Sequence, residues 1–254
     1  MAPYDGFVSF NEEHRFSRAV RRAVASPGAL ISALPANTAV LLLHDGTTKT
    51  VHKKDLAANL PGVSLSPPTH SFPKFLETGN NESTPSKHLS KRAGAQFIIP
   101  LPDEQFLGWD IPMSTIVHAN EADATVAMAQ GQSIANSISV STSYTATVES
   151  FLSVGTTINY QWTETATLTG TVTMTIPKNK WGAIVSNPLT YRKTGYVFSG
   201  QPGSGQYEFF QADSFTQDTF SYGENSLSWV KGVVTTCLGD SYPLKMCVGD
   251  GELD

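Results

Sequence analysis

The sequence predicts a mainly β fold: an antiparallel sheet or sandwich with long amphipathic strands, preceded by a small α/β segment. Three observations carry that prediction. Apolar side chains recur at most even positions from Ser133 to Ile176. Short runs rich in Val, Ile, Tyr and Thr recur between residues 97 and 235, separated by Pro, Gly and Asn. Residues 1–76, by contrast, mix one helical periodicity with two short apolar runs. Side chains of a strand alternate between faces, whereas a helix brings every third or fourth residue to one side, so the two patterns separate the halves.

Taken in order, Ser9 or Asn11 can cap a helix with Glu12 and Glu13 in its first turn, favoured by the helix dipole. Phe16, Ala19, Val20, Ala23 and Val24 follow at helical spacing, and Pro27-Gly28 ends the run. Residues 29–34 are expected to add a turn. Residues 38–43 (TAVLLL) read as a buried strand, Asp45-Gly46 as a tight turn, and residues 47–51 as the returning strand. Residues 54–60 are expected to form a short helix. So small a unit is marginal unless it packs on something else.

Farther along, residues 97–99 and 114–117 read as short strands, and the alanine-rich residues 121–130 as a helix. The alternating segment follows. Its even positions carry, among others, Ile138, Val140, Tyr144, Val148, Leu152, Val154, Ile158, Tyr160 and Trp162, while most odd positions are Ser or Thr. Residues 134–148 as one strand would reach about 50 Å. The expectation is a long hairpin that turns at 149–155, places Phe151 and Leu152 at its tip, and returns with a bend at Gly170. Its apolar side would be a packing face in a sandwich or a lipid-facing surface in a membrane-crossing barrel. Glu164 falls on the apolar parity and belongs at a strand end or an interface, since a charge in mid-bilayer costs about 2–4 kcal/mol. Residues 177–180 should turn the chain into strands at 181–186, 191–199, 207–210 and 228–235.

Three parts are expected: an α/β pro-domain at 1–76, a linker at 77–92 and a mature β-rich domain at 93–254. The linker opens with ten residues, 77–86, none of them apolar, and ends in Lys91-Arg92-Ala93. A dibasic pair in accessible backbone followed by a small residue resembles the cleavage site of kexin-type proteases. Residues 1–92 hold 11 Lys+Arg against 7 Asp+Glu, a balance of +4; residues 93–254 hold 6 against 15, a balance of −9; together they make the −5 of the chain. Opposite charge favours association of the two parts, and an acidic mature part argues against nucleic acid as partner.

Asn81-Glu82-Ser83 is the single glycosylation sequon, and Cys237 and Cys247 are the only cysteines. In a secreted chain that pair is expected to close a disulfide. Met1-Ala2-Pro3-Tyr4 reads as a start methionine ahead of a mature N-terminus. Chemistry is sparse after residue 93: His118 is the one histidine there, with no nucleophile motif beside it. No two-His metal pattern and no phosphate loop is present, so neither enzyme activity, a metal nor a cofactor is expected.

The alternating arm, Thr175-Ile176-Pro177, residues 181–188 (WGAIVSNP), Thr194-Gly195-Tyr196-Val197 and the tail residues 247–251 (CVGDG) resemble secreted, kexin-processed effector-like proteins of filamentous fungi. More distantly, the Ser/Thr-rich arms and the proline-bounded strand after them resemble the aerolysin and epsilon-toxin class of β-pore-forming proteins. That resemblance implies a secreted proprotein, matured after Lys91-Arg92, whose mature domain is a non-enzymatic effector or toxin. Its expected partners are its own pro-domain and a protein, glycan or membrane at the surface of a host or target cell. Hairpin insertion into a membrane is the more specific version; a compact effector that binds without insertion is the alternative.

Overall fold

The central element of the computed structural model is one continuous 20-residue strand, Trp181–Gly200. The structure describes residues 33–68, 95–129, 131–154, 165–201, 204–222 and 225–253, all within one unit that spans Ala33–Asp254. The helix expected at 16–24, the linker with Asn81, Lys91 and Arg92, and Ile158, Tyr160, Trp162 and Glu164 lie outside these residues.

Eleven strands precede the central one among the described residues: β1 (Thr38–Leu42), β2 (Thr48–His52), β3 (Ala95–Pro100), β4 (Glu104–Leu107), β5 (Ile111–Pro112), β6 (Val117–His118), β7 (Ala124–Ala127), β8 (Ser133–Ala135), β9 (Ser137–Ser139), β10 (Thr165–Thr167) and β11 (Thr173–Ile176). The central strand is β12. After it come β13 (Gln206–Ser214), β14 (Gln217–Tyr222), β15 (Asn225–Val230), β16 (Gly232–Gly239), β17 (Leu244–Lys245) and β18 (Glu252–Leu253). Two short helices interrupt them, α1 (Leu56–Asn59) and α2 (Thr145–Val154). The fold is mainly β and its strand pairs are antiparallel, as the alternation and spaced turns predict.

The large sheet runs β2-β1-β16-β12-β13-β9, with β3, β4, β5 and β6 also paired to β12. Thus β12 serves two neighbourhoods. Residues 181–188 pair with β16 on one side and with β5 and β6 on the other; residues 189–200 pair with β13 and with β3 and β4. The sequence predicts two strands here, broken at Asn187-Pro188. One strand passes through because the partners change at that point. The β16 ladder ends with Gly232 opposite Pro188, and Leu189 N donates to Lys231 O at 2.7 Å. The missing N–H of Pro188 therefore falls where a ladder ends.

The expected strand at 228–235 is divided in the same place. Gly232 has φ 148°, and a Cβ there would lie 2.3 Å from Asn187 O, so only glycine lets the chain leave β15 and enter β16 against β12. At the other end of β12, Asn179 adopts φ 62° in the expected turn, a conformation Asn tolerates.

Residues 33–68 and 95–253, assigned to different parts by the expected processing scheme, share this sheet. The predicted hairpin is present as β1 and β2 around Asp45-Gly46, and α1 follows where a helix is expected. β1 then pairs with β16, from Ala39–Thr235 to Leu42–Gly232. Leu34 does not extend a helix; it bridges Met174 in parallel register.

The main core lies between the sheet and three two-stranded ribbons, β7–β11, β8–β10 and β14–β15. Val40 and Leu42 from β1, Ile184 from β12 and Val234 from β16 meet Met174, Ile176, Phe220 and Trp229 there, all buried. Trp229 satisfies its indole by donating to Ser186 Oγ at 2.9 Å.

Two expectations need correction. The described residues 121–129 are not helical: Ala124 and Val126 turn inward and Thr125 and Ala127 outward along β7, opposite Ile176 and Met174. Alanine's helix propensity yields to a period-two pattern that finds a partner strand. Nor does the described part of 133–176 form one long hairpin. The outgoing arm's strand character ends at Ser139, and α2 occupies the predicted tip. Tyr144, Val148, Phe151 and Leu152 are spaced i, i+4, i+7 and i+8, which makes one helical face as well as an incomplete alternation. Val148 and Leu152 are fully buried on that face.

Candidate binding site

The upper half of β12 has two unlike faces. Toward one side point Val197 and, from β13, Phe210 and Ala212. Val148, Leu152 and Phe151 of α2 cover them, with Ile138, Val140 and Tyr144 packed alongside. Ser141 N and Oγ donate to the Glu208 carboxylate at 2.6 and 2.9 Å, and Thr147 Oγ1 donates to Gln96 Oε1 at 3.0 Å, which fixes the helix across β13 and β3. Six of the residues expected on an apolar face therefore form a packing face. Val154 does not join them; it is 85% exposed.

The opposite face is aromatic and open. Phe198 stands in register with Phe97 on β3 and Tyr207 on β13, with ring centroids at 4.7 and 5.1 Å. One row down, Tyr196 stands between Ile99 and Phe209, 5.6 Å from the Phe209 ring. The middle strand is buried by its neighbours, but Phe97, Ile99 and Tyr207 are 49%, 39% and 48% exposed. Apolar side chains grouped in this way on open surface mark an interaction surface more often than a scattered few do.

Polar groups continue the same face below the rings. Arg192 is buried, donates to both oxygens of Asp213 at 2.6 Å, and lies 4.8 Å from the Phe106 ring centroid and 5.6 Å from that of Trp109. Gln211 Nε2 donates to Asp213 Oδ2 at 3.0 Å. Glu104 is the register partner of Arg192 on β4, and its Oε2 is buried without a hydrogen bond. Trp109, 44% exposed, closes this end. The face thus offers flat rings for stacking, held from below by a buried, mutually satisfied ion pair that stiffens the strands carrying them.

Cys237 and Cys247 are bonded, with S–S 2.04 Å and Cα–Cα 5.6 Å. The closed loop is held by Asp110, a buried carboxylate that accepts from Cys247 N at 2.6 Å, Val248 N at 3.0 Å and Asn187 Nδ2 at 2.7 Å. Asp110 and the two sulfurs lie close together, but the disulfide leaves no thiolate to ligate a metal. His118 is exposed and stacks on Trp181 at 4.2 Å with ring planes 4° apart, and Tyr242 sits 5.1 Å from the same indole. Among the described residues no helix is long and apolar enough to cross a membrane.

No family model, characterised protein or solved structure matches this chain.

Lys53, just after β2, is a half-buried cation. Its Nζ donates to Thr236 O at 2.7 Å and Thr236 Oγ1 at 2.8 Å, and burial pushes its pKa down to about 8 against the upward pull of Asp110. The aromatic face was missed by the reading of the sequence because its members come from positions 97–99, 196–198 and 207–209, which only strand pairing unites. The one local signal is aromatic alternation, in Tyr196-Val197-Phe198 and Tyr207-Glu208-Phe209.

Proposed function

We propose that this chain is a secreted fungal proprotein, cut after Lys91-Arg92, whose β-rich domain acts as a non-enzymatic effector that binds the surface of a target cell. One observation carries the binding reading: α2 covers one side of β3, β12 and β13, while the other side exposes Phe97, Ile99 and Tyr207 around Tyr196 and Phe198. The bonded Cys237–Cys247 pair fits an oxidising compartment. A protein or a glycan is the class of target that such exposed rings would recognise, by stacking and apolar contact. The membrane-active version would require α2 to leave its seat on Val197 and Phe210, so binding without insertion is the better supported reading.

The test compares wild type with a Phe97→Ala, Tyr207→Ala double variant for binding to target-cell surfaces and to immobilised glycans. Loss of at least ~10-fold in affinity with an unchanged melting temperature supports the reading, since well-placed aromatic anchors contribute on that scale. Equal binding by both proteins removes the face from the function. Dye release from liposomes by the cut protein, independent of these two side chains, would favour the membrane-active version instead.

A further inference from the structure

We infer that cutting the linker nicks this protein without releasing its N-terminal part: residues 33–68 stay seated beside β16 as a non-covalent strand, and the working form has two chains. The inference rests on the reading that the chain is cut between residues 69 and 94.

The seat is built at three separate places. Leu34 exchanges backbone hydrogen bonds with β11, from Leu34 N to Thr173 O at 2.9 Å and from Thr175 N to Leu34 O at 2.8 Å. β1 lies in full register with residues 232–235 of β16. Ser64 reaches β4, where Ser64 N donates to Gln105 O at 3.2 Å and Leu107 N to Ser64 O at 2.8 Å. Side chains reinforce the middle: Thr235 Oγ1 donates to Thr38 O at 3.1 Å, Thr236 Oγ1 to Ala36 O at 2.9 Å, and Lys53 Nζ to Thr236 O at 2.7 Å.

Both faces of β1 are buried. Val40 and Leu42 fill the main core, while Ala39 and Leu41 pack with Leu107 and Val233 on the other side. Pulling β1 out would open the core on two faces and leave one edge of β16 with unpaired backbone groups in water-exposed apolar surroundings. No covalent bond holds the piece once the linker is cut, because the chain's two cysteines pair with each other at 237 and 247. The slot beside β16 is therefore a strand-binding groove, and its occupant is β1 of this chain's own residues 33–68.

The experiment places a site for an unrelated, sequence-specific protease between residues 80 and 86 of the full chain. After cutting, native mass spectrometry and gel filtration at micromolar protein should find both fragments in one species of unchanged mass. Hydrogen exchange at Val233 and Val234 should stay as slow as in uncut protein. A C-terminal fragment that elutes alone, or exchange at these amides that accelerates more than ~10-fold, overturns the inference. A dimer with exchanged N-terminal fragments overturns the assignment of the groove to its own chain. Leu41→Ala, cut in the same way, should weaken fragment retention by about 10-fold or more, as expected when a large buried side chain is truncated. A separate arm exposes the unaltered chain to a kexin-type protease: no cut after Arg92 removes the processing reading and leaves the strand groove standing.

Discussion

Arg192 and Asp213 face each other as register partners across β12 and β13, joined by two parallel hydrogen bonds of 2.6 Å beneath Phe106 and Trp109. The forked guanidinium meets the carboxylate in the bidentate arrangement that fixes geometry as well as charge. This buried pair ties together the two strands that carry most of the aromatic rows.

Removing one member should cost much more than removing both. Asp213→Ala strips the buried guanidinium of its carboxylate and is expected to destabilise by about 3–5 kcal/mol. An Arg192→Met, Asp213→Leu double variant, similar in volume, should lose far less. Urea unfolding of the two variants and of wild type measures the difference.

The pH dependence of stability should carry a signature of Lys53. Its folded pKa is about 8, below its ordinary value of 10.5, because burial disfavours the ammonium. Between those values the unfolded chain binds more protons than the folded one, so this group raises stability as pH climbs from 8 toward 10.5. At pH 7 both states are protonated and its burial penalty is fully present. Melting temperatures of wild type minus Lys53→Met should therefore rise between pH 7 and pH 10. A flat difference would show that Nζ is better solvated than its place beside Thr236 implies.

Helix α2 makes opposite demands on two of its residues. Leu152→Ala empties a fully buried site and should cost about 2–5 kcal/mol, whereas Val154→Ala, at an 85% exposed position, should change stability by no more than about 0.5 kcal/mol. Equal effects would contradict a helix seated on Val197 and Phe210. Circular dichroism alongside the unfolding curves separates loss of helix from loss of packing.

Reduction of Cys237–Cys247 should be mild. The bridged residues are 10 positions apart, so the loop entropy restored on reduction is about 2–3 kcal/mol at 25 °C. Asp110 continues to hold the tail through Cys247 N and Val248 N, so a cooperative transition should survive in reducing buffer. Asp110→Ala together with reduction should release the tail, visible as protease cutting between residues 240 and 253.

Much of the fold was legible where one signal ruled locally. Asp45-Gly46 between the apolar run 38–43 and the Thr-rich run 47–51 specified β1 and β2, and the run 191–199 specified a strand. The reading went astray where two periods coincide. Tyr144, Val148 and Leu152 satisfy both a repeat of two and a repeat of four, and Ser or Thr between them argues for neither. The consecutive pair Phe151-Leu152 was the local sign of a helix. Residues 124–127 failed in reverse, since alanine favours helices until a neighbouring strand such as β11 supplies a pairing edge. The aromatic face could not be read at all before strands β3, β12 and β13 were known to be adjacent.

The pairing of Val40 with Val234 also sets an order of events in time. Val40 leaves the ribosome 194 positions before the residue that completes its ladder, so the core around Trp229 cannot close until the chain is almost wholly made. The intervening chain holds the two ends near each other while they search. Severed before that closure, the pieces would have to find each other as separate molecules; severed after it, they are already home. A cut in the linker would leave an intact fold only when it follows that closure.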